Sequence, residues 1–183
     1  MAVRIYGNRE IKTLPGEATR PTSSKVREAL FNIWQGRVRG ACWLDLCAGS
    51  GAMGAEALCR GAAQVVGIEK SAAACRVVKE NWQKVAQPTQ VYEVHKADVV
   101  SGLSAMSRSF DLIYFDPPYA SGLYLPLLAR LNPYLAADGE IAVEYGGDHW
   151  HPDQLPATVT DKLELVRQKR YSSTNLAFFR HRQ

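Results

Sequence analysis

An apolar run, Phe110-Asp111-Leu112-Ile113-Tyr114-Phe115, stops on Asp116-Pro117-Pro118-Tyr119. That ending groups a carboxylate, a proline carbonyl with no competing N–H beside it, and a flat ring. Two consecutive prolines cannot continue a central strand, because each lacks an N–H and has φ fixed. The residue before a proline is also pushed to extended geometry. The segment is therefore read as a stiff, extended corner. Asp116 and the Pro117 carbonyl can accept the two hydrogens of a planar exocyclic amine. Pro118 keeps the corner rigid, and Tyr119 can stack on the ring that carries the amine. The plainer alternative is that Asp116 only caps the turn that follows.

A second cluster lies upstream, where Leu44-Asp45-Leu46-Cys47-Ala48-Gly49-Ser50-Gly51-Ala52-Met53-Gly54 runs from a buried strand through small residues into a helix. Glycines let a backbone approach a ligand closely, and the helix start behind them presents N–H groups. Asp45 places a carboxylate where a cationic amino group would sit. Glu69, closing the run Val65-Val66-Gly67-Ile68 and followed by Lys70, can accept both hydroxyls of a ribose. Asp98 falls just past the next strand, placed for an adenine edge. Gly49-x-Gly51-x-x-Gly54 with Glu69 downstream also satisfies the dinucleotide fingerprint, so a nicotinamide or flavin enzyme has to be weighed. Asp45 is ill suited to a pyrophosphate, and the diproline corner has no part in hydride transfer.

The elements that must position these residues are legible from periodicity. Val3–Tyr6 and Glu10–Leu14 around Gly7-Asn8 predict a short hairpin. Ser24 can cap a helix over Lys25–Gln35, with Val26, Ala29, Leu30, Ile33 and Trp34 at helical spacing. Strands are expected at Cys42–Cys47, Gln64–Glu69, Gln90–Lys96, Phe110–Asp116 and Glu140–Tyr145. Helices are expected at Met53–Arg60, Ala72–Val85, Val99–Met106 and Leu123–Tyr134. Such alternation means right-handed βαβ units and a parallel sheet. Lys162–Tyr171 and Asn175–Arg180, separated only by Ser172-Ser173-Thr174, read as an antiparallel pair closing it. The expectation is one domain over 1–183, with 1–20 a hairpin extension and 21–183 the catalytic α/β core.

Charge divides unevenly along the chain. Residues 1–40 are net +5, residues 161–183 net +4, and the middle net −5. Basic ends around an acidic centre fit a polyanion gripped at the periphery, although solvated surface charge would look the same. No apolar run is long enough to span a membrane. The cysteines (Cys42, Cys47, Cys59, Cys75) form no Cys-x-x-Cys pair and stand apart from the histidines, which predicts reduced thiols, no metal site and a cytoplasmic protein.

Together these stretches resemble the S-adenosylmethionine-dependent methyltransferases of the Rossmann-like class, and within it the bacterial 16S rRNA guanine-N2 methyltransferases, the RsmD family. The likeness covers nearly the whole chain. Its anchors are Arg20-Pro21-Thr22 with Val26-Arg27-Glu28-Ala29-Leu30-Phe31-Asn32, the glycine loop, Glu69, Asp116-Pro117-Pro118-Tyr119, and Lys169-x-Tyr171-x-x-Thr174-x-Leu176. Ser172 stands where that last motif usually continues with Gly. The resemblance implies a seven-stranded sheet of order 3-2-1-4-5-7-6 with strand 7 antiparallel and helices on both faces. It implies S-adenosyl-L-methionine held by Asp45, Ala48, Gly49, Ser50, Gly51, Glu69, Lys70 and Asp98. The substrate it implies is 16S rRNA in the small ribosomal subunit, with proteins already bound; the chain's size and its lack of an apolar surface helix point to a monomer. Arg20, Thr22, Lys25, Arg27, Lys169 and Arg170 are the expected RNA contacts; Arg27 could instead pair with Glu28 or Glu17. Three other readings stay open: an adenine-N6 methyltransferase, since the corner suits any planar amine, the oxidoreductase, and a catalytically silent RNA-binding module.

Overall fold

The computed structural model describes residues 2–14, 24–147 and 149–183. The chain divides into two compact units, residues 1–105 and 106–183. In the first, β1 (Ala2–Ile5) and β2 (Arg9–Lys12) form an antiparallel hairpin, followed by α1 (Ser24–Ile33). Then come β3 (Cys42–Leu46), α2 (Ala52–Cys59), β4 (Gln64–Glu69), α3 (Ala72–Val85), β5 (Val91–Lys96) and α4 (Val99–Ser104). The second unit holds β6 (Phe110–Phe115), α5 (Tyr124–Leu131), β7 (Leu135–Tyr145), α6 (Ala157–Thr160), β8 (Leu163–Tyr171) and β9 (Thr174–His181). The larger sheet has the order β5-β4-β3-β6-β7-β9-β8. Numbered without the hairpin, that is 3-2-1-4-5-7-6. β9 runs antiparallel to both β7 and β8, whereas β3 with β4, β4 with β5, and β6 with β7 are parallel.

The core explains these elements. Trp43, Leu44, Asp45 and Leu46 of β3 are all buried, as expected of a parallel strand covered on both faces. The Trp43 ring stacks on Phe31 of α1 and meets Trp34 edge-on, each at 5.3 Å. Helix α3 buries Ala74, Cys75, Val78, Asn81, Trp82 and Val85 along one stripe, the arrangement of an amphipathic helix. Its N-cap Ser71 accepts the Ala74 N–H, satisfying one of the orphan donors of the first turn. In the second unit Tyr124 stacks on Trp150 at 4.7 Å, and Trp150 meets Tyr145 edge-on.

Two differences from the expected elements have physical causes. β7 begins at Leu135 and not at Glu140, because its pairing with β6 jumps from Phe110↔Leu135 to Leu112↔Glu140. Asp138-Gly139, which reads as a turn, lies in that bulge. The turn joining β8 to β9 holds Ser172 at φ 57°, the left-handed region where glycine is at home. The Gly that the resemblance leads one to expect at this position would thus have a backbone reason.

Candidate active site

In the first unit, loop 47–51 leaves the carboxyl end of β3 and turns into α2. Its curvature depends on left-handed residues: Cys47 at φ 63°, Gly49 at 56° and Gly51 at 73°. Gly51 is constrained twice, since a Cβ there would stand 2.8 Å from Trp82 Nε1 and from a Val78 methyl. The Trp82 indole N–H donates to the Gly51 carbonyl at 2.8 Å. Beside it, the Asn81 amide donates to the Ser50 carbonyl and to the Lys12 carbonyl, both at 2.9 Å, while its oxygen accepts the Lys12 N–H at 2.9 Å. One buried side chain on α3 thus fastens the loop and the end of the hairpin together.

The acidic residues also hold the loop. Asp45 is buried and accepts the Gly54 N–H at 3.1 Å, tying β3 to the first turn of α2. Burial pushes its carboxyl up to about 8, the Gly54 bond opposes that rise, and the nearby Glu69 adds to it. Glu69 is half-buried at the end of β4. One of its oxygens accepts the Gly49 N–H at 3.0 Å and the other the Ser71 N–H at 2.8 Å. Ala48 donates to the Ile68 carbonyl at 3.1 Å. Lys70 is exposed just beyond Glu69. Asp98 is exposed at the start of α4, where it accepts the Val100 N–H at 2.9 Å. The first unit therefore brings Ala48, Gly49, Ser50 and Gly51 against Glu69, with Asp45 beneath the loop. The glycine cradle and the Glu69 carboxylate fit a ligand that carries a diol and a small amino-acid end. Among the described residues no group of three or more His, Cys, Asp or Glu is arranged to hold a metal ion.

In the second unit, β6 ends as expected on the diproline corner. Asp116 is half-buried, Pro117 buried, Pro118 exposed and Tyr119 half-buried. The Pro118 carbonyl accepts the Ser121 N–H at 2.8 Å, closing a tight turn. Register brings three strand ends together here. β6 runs parallel to β7 with Phe115 opposite Val143, and β9 runs antiparallel to β7 with Leu176 opposite Glu144. Glu144, buried on β7, accepts the Tyr114 hydroxyl and, at 3.3 Å, the Tyr119 hydroxyl. Tyr119 also lies 3.4 Å from the Thr174 hydroxyl at the start of β9. Burial first, with the Glu144 and Asp116 charges adding to it against the opposing Thr174 bond, pushes the Tyr119 phenol up to about 12. It is a protonated donor at any working pH.

The expected RNA contacts fare unevenly. Arg20 and Thr22 lie outside the described residues. Lys25 on α1 and Lys169 and Arg170 on β8 are exposed. Arg27 is a correction: it is 2% exposed, pairs with Glu56 of α2 and donates to the Arg4 carbonyl at 2.6 Å. Glu56 also holds Arg60, whose guanidinium lies over the Tyr6 and Phe31 rings at 4.4 and 4.8 Å. Arg27 thus ties the hairpin and α2 to α1 and is not open to a phosphate. Among the described residues its partner is Glu56 and not Glu28, while Glu17 lies outside them. Asn81, Trp82, Glu144 and Gly146 are absent from the sequence-based set. The one signal available for Asn81 was an amide among apolar residues on the inward stripe of α3.

Similarity to known proteins runs along the whole chain. A family model described as conserved hypothetical protein 95 matches residues 3–180. The Bacillus subtilis protein YlbH is 35% identical over 179 residues, covering 95% of this chain and 94% of its own length. A protein named ribosomal RNA small subunit methyltransferase D, from Escherichia coli K12, is 32% identical over 173 residues, covering 91% and 84%. The solved structure of Escherichia coli yhhF superposes with a TM-score of 0.83 at 28% identity, covering 99% of this chain and 98% of that one.

Proposed function

This chain belongs to the RsmD family, and from that premise we propose that it methylates the exocyclic N2 amine of a guanine in 16S ribosomal RNA, using S-adenosyl-L-methionine. The observation that carries the reading is the Asp116–Tyr119 corner at the carboxyl end of β6, in a chain whose glycine loop leaves the carboxyl end of β3. Open sheets of this kind take ligands beyond the carboxyl ends of their strands. The bound donor supplies an electrophilic sulfonium methyl. On this reading Glu69 would hold its ribose, Asp98 its adenine and loop 48–51 its amino-acid end.

The chain's own part is placement. A guanine amine is a weak nucleophile because its lone pair is spread into the ring. Asp116 and the Pro117 carbonyl would accept its two hydrogens and so orient the lone pair. The same acceptors stabilise positive charge as the nitrogen–carbon bond forms and the carbon–sulfur bond breaks. Asp116 takes the surplus proton once transfer is complete. Tyr119 stacks on the base after it leaves its own stack. Alignment of this kind accounts for up to about 7–11 kcal/mol of barrier lowering in well-placed systems.

The substrate is proposed to be the assembled small subunit, met in the cytoplasm by a monomer, with Lys25, Lys169 and Arg170 on RNA phosphates. The test is incubation with labelled donor and either free rRNA or small subunits lacking the modification, followed by nucleoside analysis. N2-methylguanosine is expected, mainly from the particle. N6-methyladenosine would assign the corner to the other base, and no labelled nucleoside from either substrate would overturn the proposal.

A further inference from the structure

We propose that Glu144, Gly146 and Thr174 form a clamp that sets the plane of the Tyr119 ring, and that these three are positioning residues for the target base. The inference rests on the functional reading above, because it assigns the ring a base to face. It adds residues from β7, from the position just after it and from β9, which no motif for the corner includes.

The geometry is specific on three sides of the ring. Gly146 lies directly against the Cδ2–Cε2 side of the ring: a Cβ there would stand 2.6 Å from Tyr119 Cδ2 and 2.8 Å from Cε2. Any side chain at 146 must displace the ring. At the far end the hydroxyl donates to Glu144 at 3.3 Å and lies 3.4 Å from the Thr174 hydroxyl. Glu144 is itself immobilised, since its other carboxylate oxygen accepts the Tyr114 hydroxyl within the core. Its carbonyl oxygen also accepts the Tyr124 hydroxyl at 3.3 Å. The near end of the ring is fixed by the diproline backbone. With its hydroxyl bonded in the clamp and its ring held against Gly146, Tyr119 would meet a base through its ring and not through its hydroxyl. The clamp therefore presets stacking before the base arrives, which removes an ordering cost from the bound state.

A buried carboxylate and a packed glycine would also be expected of residues that merely hold the fold, so the test must separate the two roles. Glu144→Gln, Thr174→Val and Gly146→Ala are compared with wild type on small subunits, each also in a Tyr119→Phe background. Unfolding midpoints and S-adenosylhomocysteine affinity are measured on the same preparations. Glu144→Gln is expected to lower kcat about tenfold, the scale of losing a hydrogen bond to a charged group. Thr174→Val should lower it less, and neither should change S-adenosylhomocysteine affinity. In the Tyr119→Phe background both effects should vanish, because the hydroxyl through which they act is gone. Gly146→Ala should lower kcat in both backgrounds, because it displaces the ring itself.

Losses that persist undiminished in the Tyr119→Phe background, or a Gly146→Ala protein with normal kcat, would overturn the clamp. Should Glu144→Gln fail to fold, Thr174→Val and Gly146→Ala carry the same comparison. Fluorine NMR of 3-fluorotyrosine at position 119 gives a readout that needs no turnover. Its signal should move towards that of an exposed tyrosine in Gly146→Ala and Glu144→Gln, and an unmoved signal would also overturn the clamp. Wild-type protein that fails to methylate any rRNA, while the fluorine signal still responds, would instead overturn the functional reading on which the clamp's purpose depends.

Discussion

Loop 47–51 and corner 116–119 are both turns at the carboxyl end of a parallel strand, yet they keep their shapes by different means. The loop is built from small, left-handed residues with little stiffness of their own. It is held by side chains from outside: Asp45 from β3, Glu69 from β4, and Asn81 and Trp82 from α3. The corner carries its stiffness in the backbone, through Pro117 and Pro118, and the outside bonds to Tyr119 aim its ring. The difference teaches where mutations should act. Substitutions around the loop should change stability and cofactor affinity together, whereas substitutions around the corner should change turnover and leave both alone.

The largest expected effect lies on the loop side. Trp82→Ala removes a fully buried ring and the bond to the Gly51 carbonyl, and should cost about 3–5 kcal/mol of stability. Chemical unfolding together with S-adenosylhomocysteine titration checks it. A protein that loses stability but binds the cofactor product normally would break the link between Trp82 and the loop. Arg27→Ala comes next, at about 3 kcal/mol, because it opens a buried ion pair that Glu56 retains only through Arg60. Its salt dependence of RNA binding should stay that of wild type. A reduced slope would restore Arg27 to the RNA contacts.

Lys169→Ala and Arg170→Ala sharpen that contrast from the other side. Each should leave stability within about 0.5 kcal/mol and lower the slope of log affinity against log salt by about 1. A pair of variants with unchanged slopes would remove β8 from the RNA interface. A separate effect concerns pH. Burial raises the Asp45 carboxyl from 3.8 to about 8, so the folded protein retains a proton that the unfolded chain releases earlier. Its contribution is complete below about pH 4 and is lost as pH rises through about 8. Urea unfolding at about pH 5 and about pH 8.5 should show a loss of stability in wild type that Asp45→Asn reduces. An equal loss in both proteins would place the pH dependence elsewhere.

What the sequence disclosed follows the range over which each interaction acts. Period-2 and helical patterns, together with proline and glycine punctuation, act over a few residues, and they located the hairpin, the alternating strands and helices, and the antiparallel β8–β9 pair. The sheet order came from the family resemblance carried by the glycine loop and the diproline corner. Pairings between distant elements were not legible. Arg27 sits one turn from the buried Leu30 and Phe31 on α1, so its inward side was available to periodicity. Its partner Glu56, on another helix, was not. Glu144 reads as an ordinary strand residue until the parallel register of β6 and β7 sets it beside Tyr114 and Tyr119. The bulge opposite Phe110 and Leu112 hid the first part of β7, because Asp138-Gly139 carries the chemistry of a turn.

The central claim is that Asp116 holds the amine that is methylated, and Asp116→Ala tests it directly. In one preparation, methyl transfer to small subunits and S-adenosylhomocysteine affinity should be measured side by side with wild type. The account predicts a fall in turnover of about 10²–10³-fold, as for loss of one group that stabilises transition-state charge, with cofactor affinity unchanged. Near-normal turnover in Asp116→Ala would contradict it.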